Sequence, residues 1–408
     1  MEFLLIIISI YTISSLKNWK KYFFDKEYLI FLLFFYYFFI CFSTFINLEI
    51  LTKATDSNLL LKSLLNFRFI VYILSIWYIF EQIKFNKTYF LFIIGIYFLF
   101  LLDGYIQFFY GQNVLGYTLT SRISGIFGDK YYFGSYIQKI VPIILILWFL
   151  IFKNNKKYFL LLLSIISLSS IIIIFSGDRA ASILFYFFLI TAFLFLPYLR
   201  KILLFNFIIT LLITFLIFST GIGKNLSSLK NRYNINSQYN IINMSIKDLD
   251  DSSFLKYIPR DHYGHFLVVK EMLKDNLFFG KGIKSFRVLC RGKLGNLYLV
   301  PNGVCSTHPH NYYLQSLSAG GLIAFILLTV IFLIFFIKMI KIFIGLFRYK
   351  QFDNTLNLAV VTVFIYFWPL TPTGNFFSNW IAGFNCYVLG MYLFLDSRFK
   401  NKNNILTK

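Results

Sequence analysis

The chain has 408 residues, of which 58% are hydrophobic and 22% aromatic, and its formal net charge is +22. Soluble globular domains rarely carry so large an apolar share, so the composition excludes an ordinary soluble protein. Apolar runs such as Tyr28–Ile46 approach the roughly 20 residues that cross a bilayer. The sequence therefore predicts an all-α fold, a polytopic bundle of transmembrane helices.

The apolar runs predict about eleven spans (11–12), at 2–16, 28–46, 60–83, 88–102, 135–152, 157–175, 180–197, 201–218, 312–337, 354–370 and 378–395. The first run lacks the basic start and the small-residue cleavage site of a signal peptide, so it is interpreted as a span. Three regions follow from this pattern: helices 1–8 over residues 1–218, a large loop with short helices over 219–311, and helices 9–11 with a tail over 312–408.

Basic residues are distributed unevenly between the loops. One set of alternate loops holds 19 lysines and arginines, whereas the short loops of the other set hold four. Because basic residues accumulate in short cytoplasmic loops, the first set and the C-terminus are predicted to be cytoplasmic, with the N-terminus outside. This alternation argues against nucleic acid as a partner. The long loop carries 13 basic and 6 acidic residues, which favours an anionic ligand over an ordinary solvated loop.

Two arginines lie at predicted outer ends of spans. In "SGDR", Ser176–Arg179, Gly177 suits a tight turn between two apolar runs, which holds Arg179 near the membrane–water boundary. An arginine there is costly unless it pairs, so Arg179 is interpreted either as ligand-binding or as the ion-pair partner of Asp178. Arg122, in "RISG", occupies a similar position. Arg68 lies inside a span and is expected to snorkel or to pair with another helix.

All four histidines fall on the predicted outer face: His262, His265, His308 and His310. The segment 262–276 has helical spacing, with Phe266, Val269, Met272 and Leu273 on one face, and predicts an amphipathic helix on the membrane surface or packed on the bundle. For His262 and His265 we favour hydrogen-bonded surface positions. The spacing of His308 and His310 is not a zinc pattern, so neither a metal nor a cofactor is predicted.

His310 is the stronger candidate for chemistry. Pro309 disfavours helix at His308, so a helix can begin near His310 or Asn311, and Asn311 can cap it. His310 is then held at the outer mouth of the bundle, where an imidazole can serve as a general base.

Cysteine usage agrees with the predicted topology. Cys41 and Cys386 fall inside spans and are interpreted as small hydrophobic residues. Cys290 and Cys305 lie in the long outer loop, where an oxidising compartment permits a disulfide worth roughly 3 kcal/mol. Two free thiols are the alternative.

Four motifs resemble those of the O-antigen ligase and polymerase superfamily, and the resemblance covers roughly residues 100–390. "HNYYLQSLSAGGLIA", His310–Ala324, resembles its His-Asn, nine residues, Gly signature, with Gly321 as the glycine. "SGDR" resembles its Ser-Gly-x-Arg turn. "KDNLFFGKGIKSF" resembles its Gly-x-Gly segment, with Leu277 at the usual proline, and "TPTGNFFSNW" resembles the last outer loop of polymerase-like members. His262 stands where many members carry an arginine, which makes Arg260 the nearest candidate for that role.

The resemblance implies a metal-independent glycosyltransferase of the bacterial inner membrane, with a periplasmic active face and no cofactor. Its donor would be an undecaprenyl-diphosphate-linked oligosaccharide, and its acceptor a lipid-linked repeat or lipid A–core. A chain-length regulator is suggested as a further partner. O-antigen polymerase is favoured over ligase, and a transporter or flippase is the rival of another class. The implied roles are a general base for His310, diphosphate binding for Arg122, Arg179 and Arg260, and support from Asn311, His308, His262 and Gly321.

Overall fold

The computed structural model describes residues 28–55, 58–152, 155–224, 260–291, 305–347 and 353–406, together with positions 7, 10, 226 and 229. These residues form α-helices joined by turns and short 3₁₀ segments, and no β-strand occurs among them. The all-helical class predicted from the composition is therefore confirmed for this part of the chain.

The α-helices follow one another as α1 (Tyr28–Ile46), α2 (Leu48–Ala54), α3 (Leu59–Leu64), α4 (Arg68–Gln82), α5 (Lys87–Tyr110), α6 (Phe133–Phe152), α7 (Phe159–Phe175), α8 (Arg179–Phe195), α9 (Arg200–Thr220), α10 (Arg260–Lys274), α11 (Ser285–Arg291), α12 (Tyr312–Phe347), α13 (Asn354–Tyr366) and α14 (Asn379–Leu406).

Within the described residues, seven helices are long and apolar enough to cross a membrane. They coincide with the predicted spans 28–46, 60–83, 88–102, 135–152, 157–175, 201–218 and 312–337. The spans predicted at 180–197 and 354–370 correspond to α8 and α13, which are apolar but shorter. The span predicted at 378–395 lies within α14, and 2–16 falls outside the described residues. A multi-pass membrane protein follows, and the count of about eleven stays a prediction.

The chain forms two compact units. Unit 1 comprises Met1–Gln82, Gln238–Ile337 and Phe367–Phe394, and unit 2 comprises Ile83–Ser237, Lys338–Tyr366 and Leu395–Lys408.

Unit 1 packs aromatic side chains and a few buried polar pairs around α1, α4 and the first part of α12. The hydroxyl groups of Tyr36 on α1 and Ser316 on α12 are hydrogen-bonded at 2.8 Å. The end of α1 is fastened to the segment before α11, because Asn47 Nδ2 donates to Gly280 O at 3.1 Å and Ile283 N donates to Thr44 Oγ1 at 2.9 Å. These bonds satisfy polar groups that would be costly to bury alone.

The amphipathic segment predicted at 262–276 is the helix α10 of unit 1. Its apolar side packs on α11 in one buried cluster, made of Val268, Val269, Met272, Phe286, Leu289 and Cys290. Of the four residues predicted to share a face, Val269 and Met272 are buried and Leu273 packs against the cluster, whereas Phe266 is 41% exposed. Val268 is buried as well. The helix therefore packs within the protein along a face rotated slightly from the predicted one.

Unit 2 holds α5 to α9 and α13. Its helix α6 contains Pro142 and carries Lys139, which is buried with Nζ 4.2 Å from the ring centroid of Tyr366. The ammonium group over an aromatic face is a cation–π contact, which offsets part of the cost of burying the charge.

Candidate active site

Hydrogen bonds fix the turn that begins α12 in unit 1 at both His310 and Asn311. Asn311 Oδ1 accepts hydrogen bonds from Tyr313 N at 2.9 Å and from Leu314 N at 3.2 Å, which confirms its predicted capping role. Asn311 Nδ2 donates to Pro369 O at 2.7 Å. His310 has a φ of 50°, and its carbonyl oxygen accepts from Thr373 N at 2.7 Å. A left-handed backbone at a residue other than glycine is uncommon, so the surrounding hydrogen bonds hold His310 in this conformation.

Three imidazole rings gather at this turn. The ring centroids of His308 and His310 are 4.1 Å apart, and those of His265 and His310 are 5.2 Å apart. His265 is 3% exposed, and its ring also meets Phe286 edge-on at 5.6 Å. The interpretation of His265 as a surface residue is therefore wrong. The helical period could have indicated this, because His265 lies three and seven residues before Val268 and Met272, on their buried side.

His308 is strongly affected by its surroundings in this cluster. Burial, and then the neighbouring rings of His310 and His265, lower the pKa of His308 to about 3. Its Nδ1 is hydrogen-bonded to Thr307 Oγ1 at 2.9 Å. His308 is thus neutral near pH 7, so it adds no positive charge next to His310.

Gly321 breaks the first part of α12. Its φ of 64° and ψ of −160° are not helical, although the helix continues on both sides. The segment 277–282 fills the break: Lys281 N and Gly282 N donate to the carbonyl groups of Ser318 and Ala319 at 2.9 and 3.0 Å. Leu322 N and Ile323 N donate back to Leu277 and Phe278 at 2.9 and 3.3 Å.

The break in α12 at Gly321 gives a common structural reason for two motifs, the Gly-x-Gly segment and the glycine of the His-Asn signature. A Cβ at Gly321 would overlap the carbonyl group of Phe278, and one at Gly280 would lie 2.5 Å from Gly321 N. Only glycine fits either position, because the two backbones touch. The Gly-x-Gly segment and the glycine of the His-Asn signature are therefore one structural element, which supports the turn that carries His310.

A disulfide closes the same region. Cys290, on α11, is bonded to Cys305, and their Cα atoms are 5.6 Å apart. Of the two alternatives left by the sequence, the structure shows the disulfide. It fixes the chain three residues before His308.

The "SGDR" turn in unit 2 joins α7 to α8 as predicted. Gly177 has a φ of 70°, and the carbonyl oxygen of Ser176 accepts from Ile123 N at 3.2 Å. The side chain of Arg122 lies over this turn, since a Cβ at Gly177 would be 3.4 Å from Arg122 Cγ. The guanidinium carbon of Arg122 is 5.7 Å from the ring centroid of Tyr131. Arg122 and Arg179 are thus held at the same turn.

Asp178 is engaged by groups other than a guanidinium. Its Oδ2 accepts from Ser135 Oγ at 2.7 Å, and its Oδ1 accepts from Ala181 N at 3.3 Å, capping α8. Arg179 is exposed at the first position of that helix. Both interpretations of Arg179 stay predictions.

A buried polar network holds the loop that carries Arg122. Gln107 Oε1 accepts from Ser124 N and Gly125 N at 3.0 and 2.8 Å, and Asp103 Oδ1 accepts from Val114 N at 3.0 Å. Asn113 Nδ2 donates to Asp103 Oδ2 at 3.2 Å. Sequence reasoning missed these residues, although polar side chains near the end of an apolar run were a usable signal.

Three further residues named from the sequence lie away from these two turns. Arg260 and His262 lie in the first turn of α10, but their side chains are outside the described residues. Arg68 pairs with another helix, as one of its two predicted alternatives stated, because its Nη2 donates to Asn379 Oδ1 at 2.8 Å.

Residues 164–329 match the family model described as O-Antigen ligase. No curated protein and no solved structure matches the chain significantly. The matched segment contains the "SGDR" turn, α10, the three-histidine cluster and the break at Gly321. The match supports the resemblance of residues 164–329 to the O-antigen ligase and polymerase superfamily.

Proposed function

We propose that this protein is a glycosyltransferase that moves a glycan from undecaprenyl diphosphate to an acceptor sugar hydroxyl, without a metal, at the periplasmic face of the bacterial inner membrane. The observation that carries the proposal is the three-histidine cluster at the start of α12, supported on the break at Gly321 within a family-matched segment. In this scheme residues 219–311 form the extracytoplasmic loop between helices 1–8 and the last three spans, and the C-terminus is cytoplasmic.

His310 is the proposed general base. The reaction breaks the anomeric C–O bond to diphosphate while an acceptor hydroxyl attacks, and the proton of that hydroxyl must be taken up. An imidazole can accept it near neutral pH, and such help is typically worth about 10²–10⁴-fold. Because the low pKa of His308 keeps its ring neutral near pH 7, His308 adds no charge that would repel a proton gained by His310.

The diphosphate leaving group accumulates negative charge, so cations are its natural partners. Arg122 and Arg179 share the "SGDR" turn, and guanidinium groups bind phosphate oxygens bidentately while staying charged. We assign diphosphate binding to these two residues and to Arg260. Preorganised cations can supply much of the transition-state stabilisation in such a site, which is the physical basis for proposing that no metal is needed.

The direct test is glycosyl transfer by purified protein reconstituted with lipid-linked repeat units. Arg179→Ala should weaken donor use strongly, and Arg179→Lys should recover only part of it, because lysine keeps the charge but loses the bidentate geometry. Arg200→Gln is the matched control, since the guanidinium group of Arg200 donates to the carbonyl groups of Phe193 and Leu194. Full transfer by Arg179→Ala would contradict the assignment.

Polymerase is the proposed activity within the family, and a deletion strain separates it from ligase. Loss of a polymerase leaves single repeats on lipid A–core. Loss of a ligase leaves long glycan on the carrier lipid and none on the core. The second pattern would replace polymerase by ligase while leaving the chemistry assigned to His310 unchanged.

A further inference from the structure

A shallow depression in unit 1 adjoins the three-histidine cluster. Its polar lining includes Lys284, Ser285, Thr307, His308, Gln315 and Asn375. His308 lines the depression, and the centroid of its ring is 4.1 Å from that of His310. A group bound in the depression would therefore lie next to the proposed base.

Two amide side chains in the lining are held rigidly. Gln315 Nε2 donates to Asn375 Oδ1 at 2.7 Å, and Gln315 Oε1 accepts from Phe376 N at 2.8 Å. Asn375 Oδ1 also accepts from Phe377 N at 2.9 Å. Because its oxygen is used in this way, Asn375 can present its amide NH₂ group to a ligand. Fixed amide groups of this kind are suited to sugar hydroxyls.

The charge around the depression is positive. Lys284 is exposed at its rim, and burial together with the charges of Lys62 and Arg287 lowers the pKa of Lys284. Nearby described acids are engaged elsewhere, with Asp275 on Lys281 at 3.0 Å and Glu271 on Lys274 at 2.7 Å. Among the described residues no carboxylate forms an ion pair with Lys62, Lys284 or Arg287. Clustered cations without acidic partners attract an anion.

The backbone of Lys284 is also unusual, with a φ of 57°. This left-handed conformation is unfavourable for a lysine, and strained residues of this kind persist where the surrounding structure fixes them, often at ligand sites. Here Gly282, two residues earlier, is fixed by its bond to Ala319, and Ser285 Oγ donates to Ser318 O at 3.1 Å. The support of α12 thus also sets the position of Lys284.

We propose that this depression binds an anionic substituent of the acceptor glycan, a carboxylate or phosphate on a sugar ring, with Lys284 as its cation and with Gln315 and Asn375 as partners of the ring hydroxyls. The inference rests on the proposed function, because that function defines the acceptor. It adds a substrate class: acceptors whose terminal repeat carries an acidic sugar are preferred to neutral ones.

The test compares two probes, methyl β-glucuronoside and methyl β-glucoside, by saturation-transfer NMR on the full chain purified in detergent. The wild-type protein should bind the glucuronoside at least about tenfold more tightly, the size expected from one charged hydrogen bond. Lys284→Asn should abolish that preference, since asparagine tolerates a left-handed backbone and keeps the fold. Lys284→Arg should retain it. Lys274→Gln is the matched control, because Lys274 lies on α10 outside the depression and should leave the preference intact.

Equal binding of both probes by the wild-type protein, or an intact preference in Lys284→Asn, would overturn the inference. If Lys284→Asn does not fold, Arg287→Gln serves instead, and it should weaken glucuronoside binding severalfold while the glucoside is unaffected. Phosphatidylglycerol micelles are a second competitor. If they displace the glucuronoside from the wild-type protein and do not bind Lys284→Asn, the cations belong to a lipid-headgroup site, and the inference is overturned. Probe binding needs no turnover, so its outcome is separate from the transfer assay, whose failure would instead reject the proposed function.

Discussion

At the scale of single residues, the chemistry assigned to His310 depends on an uncommon backbone conformation. Its φ of 50° and the bond from Thr373 N to its carbonyl oxygen fix the ring at the turn before α12. The sequence indicated the position, because Pro309 and Asn311 mark the start of a helix. It could not indicate the left-handed backbone, since that depends on a loop more than 60 residues further along the chain.

His310→Asn removes the imidazole while tolerating the left-handed backbone, so it tests the base more cleanly than His310→Ala. Transfer should fall by about 10²–10⁴-fold, with little change in thermal stability, because only proton transfer is lost. The measurement is the rate of transfer from lipid-linked repeats, with Arg200→Gln, remote in sequence from this turn, as the control. Activity near that of the wild type would remove His310 from the mechanism.

Burial of His308 makes stability depend on pH. Its pKa is about 3 in the folded protein and roughly 6.5 when unfolded. Between these values the unfolded chain binds the extra proton, so this contribution is fully present above about pH 6.5 and is lost as the pH falls towards 3. The limiting slope is about 1.4 kcal/mol per pH unit. Thermal melting of the wild type and His308→Gln from pH 7 to pH 4 checks it, and parallel curves for the two would contradict the prediction.

At the scale of elements, α12 is a helix whose continuity is interrupted where another segment docks. The run 312–337 was predicted as one ordinary span because its apolar residues continue through Gly321. Nothing local distinguishes a glycine that breaks a helix from one that packs within it. Only the close contact of Phe278 and Gly280 with Gly321 identifies this glycine as one that breaks the helix. Those residues lie about 40 positions apart in the sequence.

Gly321→Ala is expected to disrupt this docking. Its backbone conformation is strained for alanine, which costs roughly 1–3 kcal/mol, and the new methyl group would overlap the carbonyl group of Phe278. Both stability and transfer should therefore fall. Gly95→Ala on α5 is the matched control, since a Cβ there meets no atom within 4 Å. Detergent melting temperatures of the two variants give the comparison, and similar values would argue against the docking.

The loop that carries Arg122 depends on Gln107. Gln107→Leu should leave the backbone N–H groups of Ser124 and Gly125 buried without an acceptor, at a cost of about 1–3 kcal/mol each. The displaced loop should raise the donor KM more than it lowers kcat, because binding is affected more than chemistry. Gln112→Leu, at an exposed position of the same loop, is the control. An unchanged KM in Gln107→Leu would separate Arg122 from donor binding.

At the scale of the whole molecule, hydropathy predicted most of the long apolar helices, because an apolar run is a local property of the sequence. Seven predicted spans coincide with helices long enough to cross a membrane, and the helices on either side of the "SGDR" turn end and begin within one residue of the predicted positions. The long loop was less predictable, because α10 and α11 are stabilised by contacts with each other and with α12. His265 shows why: its burial follows from packing against Phe286 and His310.

The disulfide between Cys290 and Cys305 should contribute to the stability of the whole chain. Closing about 15 residues is worth roughly 3 kcal/mol in the loop-entropy model. The double variant Cys290→Ser/Cys305→Ser should therefore melt at a lower temperature and transfer more slowly. Cys41→Ser, at a free cysteine, is the control. A wild-type protein that melts identically with and without reductant would contradict this prediction.

The hydrogen bonds at the break in α12 also fix the number of residues in the segment 277–282. Four backbone hydrogen bonds join residues 277–282 to residues 318–323 in a single register. Adding or deleting one residue between Leu277 and Gly282 would set donors against the wrong carbonyl groups on one side, in surroundings where water cannot replace them. Substitutions of side chains such as Leu277, which is exposed, leave that register untouched. Exposed side chains of this short stretch can therefore change, whereas Gly280 and the number of residues cannot.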